Sequence, residues 1–258
     1  MLKKRIIPKF LIRGGRLVKM RRFTDDQREA GNPVSTAKVY DSYGVDELIF
    51  VDIDATAEGR VVSGSIIERV AEEVFVPLTA GGGVRTLAQI ESLLKSGADK
   101  VSINAAAIVD PAFITQAASR FGDQCIVVSI DYRADEFGAK RVHGHGGTLA
   151  TSHDPIAFAL RMQDLHAGEI LMTSIDRDGT MSGYDLDMIH ALADRLDIPL
   201  IASSGAGSLD DCKAALDAGA SAITISSMFI FTDHSPIKVR TYLHTNGVNV
   251  RSQKGSRS

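Results

Sequence analysis

Asp131 ends the apolar stretch CIVVSID at residues 125 to 131, and a carboxylate at the end of such a run can act as a general acid or base. The similar stretch RIIPKFL at residues 5 to 11 ends in Leu11, which can neither take nor give a proton. Gly81-Gly82-Gly83 and Ser203-Ser204-Gly205-Ala206-Gly207 also follow short apolar runs, and glycine there lets backbone N–H groups approach an anion closely. Each has a polar companion further on, Ser102-Ile103-Asn104-Ala105 for the first and Ser226-Ser227 for the second. One such loop taken alone is as readily a tight strand-to-helix turn. Two of them suit a long substrate with a phosphate at each end. Asp178-Gly179-Thr180 is a third polar turn, able to bind sugar hydroxyls or the second phosphate, or else to cap the next helix.

The elements that must position these residues emerge when the chain is laid on itself. At a shift of 122, DELIFVDIDAT (46 to 56) falls on GEILMTSIDRD (168 to 178), and VPLTAGGGVRTLAQI (76 to 90) falls on IPLIASSGAGSLDDC (198 to 212). In the same register SGADKVSINAAAI (96 to 108) falls on AGASAITISSMFI (218 to 230), while the opening strands fit best at a shift of 120. Each half holds four short V/I/L-rich strands alternating with helices: near 5–12, 48–52, 77–80 and 100–103, then 125–130, 169–174, 199–203 and 222–226. Continuous apolar strands of this kind are buried on both faces, as in parallel sheets. Thr86 with Gln89 and Ser208 with Asp211 occupy cap and third helical positions one repeat apart. Eight βα units predict a closed (β/α)₈ barrel made of two similar half-barrels, about 1–122 and 123–250, followed by a flexible basic tail at 251–258. Its chemistry belongs on the loops at the C-terminal ends of the strands.

Composition narrows the rest. With 258 residues, 44% hydrophobic, and a formal net charge of −3, the chain can bury a large core, and it lacks the positive field that a nucleic-acid groove needs. Cys125 and Cys212 have neither zinc spacing nor a disulfide context, so the expectation is buried thiols in a reducing compartment, with no metal and no cofactor. The N-terminus MLKKRIIPKF runs into Arg13 and Arg16 without a long apolar segment, and no apolar run reaches membrane-spanning length. A cytoplasmic protein with no membrane partner is expected.

RIIP, GGRLVK, VDELIFVDI, PLTAGGGVR, GADKVSIN, FGDQCIVVSID, AGEILMTSIDRDGTMSGYD and the closing NGVNVR resemble the cyclase subunit of imidazole glycerol phosphate synthase, the HisF family. The resemblance covers the chain from residue 3 to about 251. It implies a (β/α)₈ barrel of the lyase type, which takes ammonia from a HisH-like glutaminase and closes an imidazole ring on a ribulosyl phosphate. The family's phosphate-binding residues carry over to Gly83 and Asn104, and to Gly179, Gly205 and Ser227, with Asp178 and Ser226 beside them. Its chemistry uses two facing carboxylates, from the first and fifth strands, and Asp131 matches one of them. Leu11 stands in place of the other. Around it the usual Cys-Leu-Asp has become Lys9-Phe10-Leu11, while Lys19 is kept. Ser204 replaces a family glycine, Ala105 a hydroxyl residue and Asp54 a threonine, and the loop VHGHGGTLATSHD, with His143 and His145, lacks the usual Thr-Gly ending. For these two histidines, solvated side chains are expected.

At the other end of the predicted barrel, Arg5, Glu47, Lys100 and Glu169 each open a strand, and Glu47 and Glu169 are 122 apart. Two positive and two negative groups can close a ring by mutual salt bridges, and such a cluster is also a plain structural plug. In the family these positions form the ammonia gate, and Asp99 beside them lies at the glutaminase interface. Together these features resemble a divergent, WbuZ-like branch associated with surface-glycan genes, which passes ammonia to a separate sugar amidotransferase. Three readings follow. The first is an ammonia-accepting subunit for glycan amidation, with cyclase activity impaired by Leu11. The second is the histidine-biosynthetic cyclase with another group in place of the lost acid. The third is a non-catalytic binder of a phosphorylated ligand that activates a glutaminase.

Overall fold

The computed structural model describes residues 3–24 and 28–251, so most of the tail expected at 251–258 lies outside the described residues. Among the described residues twelve strands run in chain order as β1 (Arg5–Arg13), β2 (Arg16–Lys19), β3 (Arg28–Gly31), β4 (Leu48–Asp52), β5 (Leu78–Gly81), β6 (Lys100–Ile103), β7 (Ile126–Ala134), β8 (Lys140–Gly144), β9 (Leu149–Ala150), β10 (Glu169–Ser174), β11 (Leu200–Ser203) and β12 (Ala222–Ile225). Eight of them pair in parallel around a closed circuit, β1-β4-β5-β6-β7-β10-β11-β12, with β12 returning to β1. Helices lie between the strands, so the fold is the expected (β/α)₈ barrel.

Alternation along each strand sorts side chains between two cores. On β1, Ile6, Phe10 and Ile12 enter the main core, where Phe10 meets the rings of Tyr40 and Phe50 at 5.0 and 5.2 Å between centroids. Ile7 instead joins Ile49, Val127, Leu171, Ile201 and Ala222 in a separate apolar layer inside the barrel. The helices start where the sequence supplies caps. The Asn32 carboxamide oxygen accepts from the Val34 and Ser35 amides ahead of Pro33, and Asp154 and Ser235 cap helices whose first residue is also proline. Thr86 with Gln89 and Ser208 with Asp211 form reciprocal capping boxes at equivalent points of the two halves.

Strand register repeats across the halves. Leu11 lies opposite Val51 and Asp131 opposite Thr173; Val51 lies opposite Gly81 and Thr173 opposite Ser203. Outside the barrel circuit, each half also adds an antiparallel hairpin at the same place, Leu11 facing Val18 of β2 and Asp131 facing His143 of β8. Two sequence expectations change. The fifth barrel strand begins at Ile126, because Asp123–Cys125 forms a single 3₁₀ turn, and Cys125 is only half-buried there. The segment with His143 and His145 is not a free loop. His143 is half-buried with Nδ1 3.2 Å from the Gly147 carbonyl oxygen, and His145 is exposed at a positive φ of 51°.

Candidate functional site

At the C-terminal mouth, β1 and β7 carry the two strand-end positions that the sequence contrasts. Asp131 is buried, and Asn104 Nδ2 donates to its Oδ2 at 3.3 Å and to the Ser129 carbonyl at 3.0 Å. Burial lifts the Asp131 carboxyl to about 6 and Asp178 adds to the rise, while the Lys9 charge and a hydrogen bond from Thr173 oppose it. A carboxyl in that range exchanges protons near neutral pH, as general acid–base chemistry requires. Leu11, only 7% exposed, sits in an apolar group with Val18 and Met20, against Val51 and Ile53. The strand-end position itself thus offers no acid.

The glycine loops flank this pair. Gly83 has φ of +70°, and a Cβ there would strike the Arg60 carbonyl oxygen; Gly205, at +104°, would strike the Gly183 carbonyl oxygen. Close backbone approach therefore explains both glycines without a ligand, and it does so symmetrically. The loops nevertheless border open space. A cleft of about 520 Å³ reaches from Gly82, Gly83 and Asn104 past Asp131 to Leu11. A much smaller one, about 30 Å³, lies among Lys19, Asp178, Ser204, Gly205, Ser226 and Ser227. In that second cleft two buried polar atoms have no hydrogen-bond partner, Asp178 Oδ2 and Ser227 Oγ. Such atoms cost free energy unless a ligand or water meets them. Ser227 Oγ can donate to an anion, and Asp178 Oδ2 can accept from a hydroxyl.

Lys19 and Asp178 are both buried, with Nζ 3.7 Å from Oδ1, and Ser204 Oγ donates to the same Oδ1 at 3.0 Å. Asp178 is thus a member of the mouth and does not cap a helix; Asp185 takes that task for the following helix. Ser204 adopts φ of +81°, the left-handed region that its counterpart Gly82 occupies at +115°. Asp54, where the resembled family has threonine, pairs with Arg13 at 3.0 Å.

The opposite end holds a closed ring of charges. Arg5 Nη1 lies 2.9 Å from Glu47 Oε2 and 3.0 Å from Glu169 Oε1, and Lys100 Nζ lies 2.9 Å and 3.0 Å from the same two oxygens. Thr79 Oγ1 donates to the remaining Glu47 oxygen at 2.7 Å. Positive and negative groups alternate around the barrel axis, and the apolar layer of Ile7, Ile49 and Leu171 lies between this ring and the mouth. Asp99, on the same end, is exposed and accepts from the Leu78 amide at 2.8 Å.

A family model for histidine biosynthesis proteins matches residues 5–235. The chain belongs to that family. In this chain the structure thus gathers Asp131, Lys19, Gly83, Asn104, Asp178, Gly179, Gly205, Ser226 and Ser227 around one mouth. Arg5, Glu47, Lys100 and Glu169 gather at the other. Sequence reasoning passed over Lys9 as a member of the site. Its Nζ reaches Thr173 Oγ1 and Ser203 Oγ at 3.4 and 3.2 Å. The signal was present, since Arg5, Ile7, Lys9 and Leu11 share one face of a strand at a period of two. Among the described residues no helix is long and apolar enough to cross a membrane, and no group of three or more His, Cys, Asp and Glu side chains could hold a metal ion.

Proposed function

We propose that this chain is a HisF-like synthase subunit that receives ammonia from a HisH-like glutaminase at the N-terminal end of its barrel. The ammonia then serves a sugar amidotransferase acting on a surface polysaccharide, and the cyclase site at the mouth is impaired by Leu11. HisF-family members work with a glutaminase partner. The observation that carries the reading is the contrast between the two ends. The charged ring is complete, with all four contacts at 2.9 to 3.0 Å, whereas one of the mouth's two mirrored acid positions is a leucine in an apolar group. Phe75, 94% exposed on the loop just before β5, lies on the same end as the ring and gives a partner an apolar contact.

Residual cyclase activity is a second reading, and Asp131 with Lys19 and Asp178 in one mouth favours it. Removing a proton-transfer group costs roughly 10²- to 10⁴-fold in rate. The purified protein given the ribulosyl phosphate substrate and ammonium chloride should therefore turn over at least roughly 10²-fold slower than an ordinary cyclase. Turnover at ordinary rates would sink the ammonia-delivery reading. In complex with the glutaminase, Lys100→Ala should raise the share of glutamine-derived ammonia that escapes to bulk solvent, while anion binding at the mouth stays unchanged. An unchanged escape would reduce the ring to a structural plug.

A further inference from the structure

Lys9 has no task in the proposed reading. It follows Arg5 and Ile7 on the inward face of β1, beneath Leu11, and its Nζ crosses the barrel to hydroxyls on β10 and β11. The side chain borders both the large cleft beside Gly83 and the small one beside Gly205. A ligand held by either glycine loop therefore lies in a cleft that this side chain lines.

The partners of this amine set it apart from the other barrel lysines. Lys100 lies between two carboxylates, and Lys19 stands against Asp178. Lys9 instead bonds Thr173 Oγ1 and Ser203 Oγ. A hydroxyl accepts from an ammonium or donates to the lone pair of a neutral amine, so Ser203 suits either protonation state of Lys9. Burial pushes the Lys9 ammonium below its ordinary value and the Lys19 charge adds to this, while Asp131 and Asp178 oppose it. The Thr173 hydroxyl also bonds Asp131, and thus stands between the amine and a carboxyl able to trade protons near neutrality.

We propose that Lys9 is a nucleophile that forms an imine with a phosphorylated ketone or ketose bound in the mouth. The Nζ lone pair attacks the carbonyl carbon, a C–N bond forms, and the carbonyl oxygen takes a proton from Asp131. The attacking nitrogen, now carrying two protons and a positive charge, returns one of them to Asp131 to give the neutral carbinolamine. Asp131 passes that proton to the hydroxyl, which leaves as water as the C=N bond forms, and the iminium then gives its remaining N–H proton back to Asp131, so the net change is amine plus carbonyl to imine plus water with Asp131 restored. Desolvated lysines next to a second cation are suited to this step. The inference rests on the proposed reading only in taking the glycine loops as anion sites.

The test treats the full chain with ribulose 5-phosphate and sodium borohydride, then maps the adduct by peptide mass. One adduct per chain is expected on the peptide carrying Lys9, at least tenfold weaker with ribulose lacking phosphate and absent in Lys9→Arg, with circular dichroism checking that the variant folds. Arabinitol 5-phosphate, which has the phosphate but no carbonyl, reports the anion loops separately by calorimetry. If it binds and no Lys9 adduct forms, the imine is overturned while phosphate binding at the mouth stands. Adducts spread evenly over surface lysines, or undiminished in Lys9→Arg, also overturn it. A Lys9 adduct in a protein that cyclises at ordinary rates would support the imine and remove the ammonia-delivery reading.

Discussion

Leu11 and Asp131 hold the same place in the two halves of one barrel: Leu11 faces Val51 across one parallel pair, and Asp131 faces Thr173 across its counterpart. The neighbours have diverged together with them. Around Leu11 the partners are Val18, Met20, Val51 and Ile53, whereas Asp131 has Asn104 and Thr173. Leu11→Asp therefore restores a carboxylate geometrically but sets it in apolar company. Burying an unpaired acid should cost about 2 to 4 kcal/mol, seen as a lower Tm. If the rest of the site is competent, cyclase turnover with ammonium should rise by at least tenfold despite that loss. A variant that folds but gains nothing would locate the defect elsewhere, with Lys9 and Ser204 as the nearest departures.

Asp131 should also make stability depend on pH. Its folded value of about 6 lies above the ordinary 3.8, so the folded state holds a proton that the unfolded chain releases between those limits. A raised carboxyl works against the usual acid case: no penalty exists below about 4, and it grows as pH rises to 6 and stays constant above. At 1.36 kcal/mol per unit, the full penalty is about 3 kcal/mol. Asp131→Asn should thus be more stable than the unmodified protein at pH 7.5 by up to that amount. The advantage should shrink between pH 6 and 4 in urea titrations. An advantage that is flat across this range would place the Asp131 carboxyl in the ordinary range.

How far the sequence reached can be judged from particular residues. The barrel was legible because a 122-residue repeat in continuous apolar strands leaves few alternatives, and the register pairs of β4 with β5 and β10 with β11 repeat in the same frame. The mouth loops were legible for the same reason. Lys9 was not singled out, because its importance depends on a side chain crossing the barrel to Thr173 and Ser203, 164 and 194 residues away in sequence. The hairpin that half-buries His143 was hidden too, since β8 is mostly polar and β9 is only two residues long. Pairing of β8 with β7, and of β9 with β8, gives them their structure.

Ser204 offers a test of what this chain gave up at a glycine position. At φ of +81° an L-residue is strained by about 1 to 2 kcal/mol, but its hydroxyl supplies Asp178 with a hydrogen bond at 3.0 Å. Ser204→Ala keeps the strain and loses the bond, whereas Ser204→Gly loses the bond and relieves the strain. Glycine should therefore be more stable than alanine at this position by about 1 kcal/mol, as measured by chemical denaturation. Equal stabilities would mean that the backbone relaxes out of the left-handed region when the hydroxyl is removed.

The buried hydroxyl of Ser227 should reveal whether the second loop receives an anion. Without a ligand its Oγ is unpartnered, so Ser227→Ala removes an unmet polar group and should leave stability unchanged or slightly raised in buffers free of phosphate and sulfate. With a ligand the sign reverses, because a hydroxyl donating to a charged acceptor is worth roughly 1.5 to 3 kcal/mol. Phosphate should raise the Tm of the unmodified protein in proportion to occupancy, and the alanine variant should need at least tenfold more phosphate for the same shift. Crystals grown in phosphate or sulfate should carry density near Gly205 and Ser227, or near Gly83 and Asn104. If both proteins respond alike, and if both loops hold only water at high anion concentration, the glycines serve the backbone contacts to Arg60 and Gly183 alone.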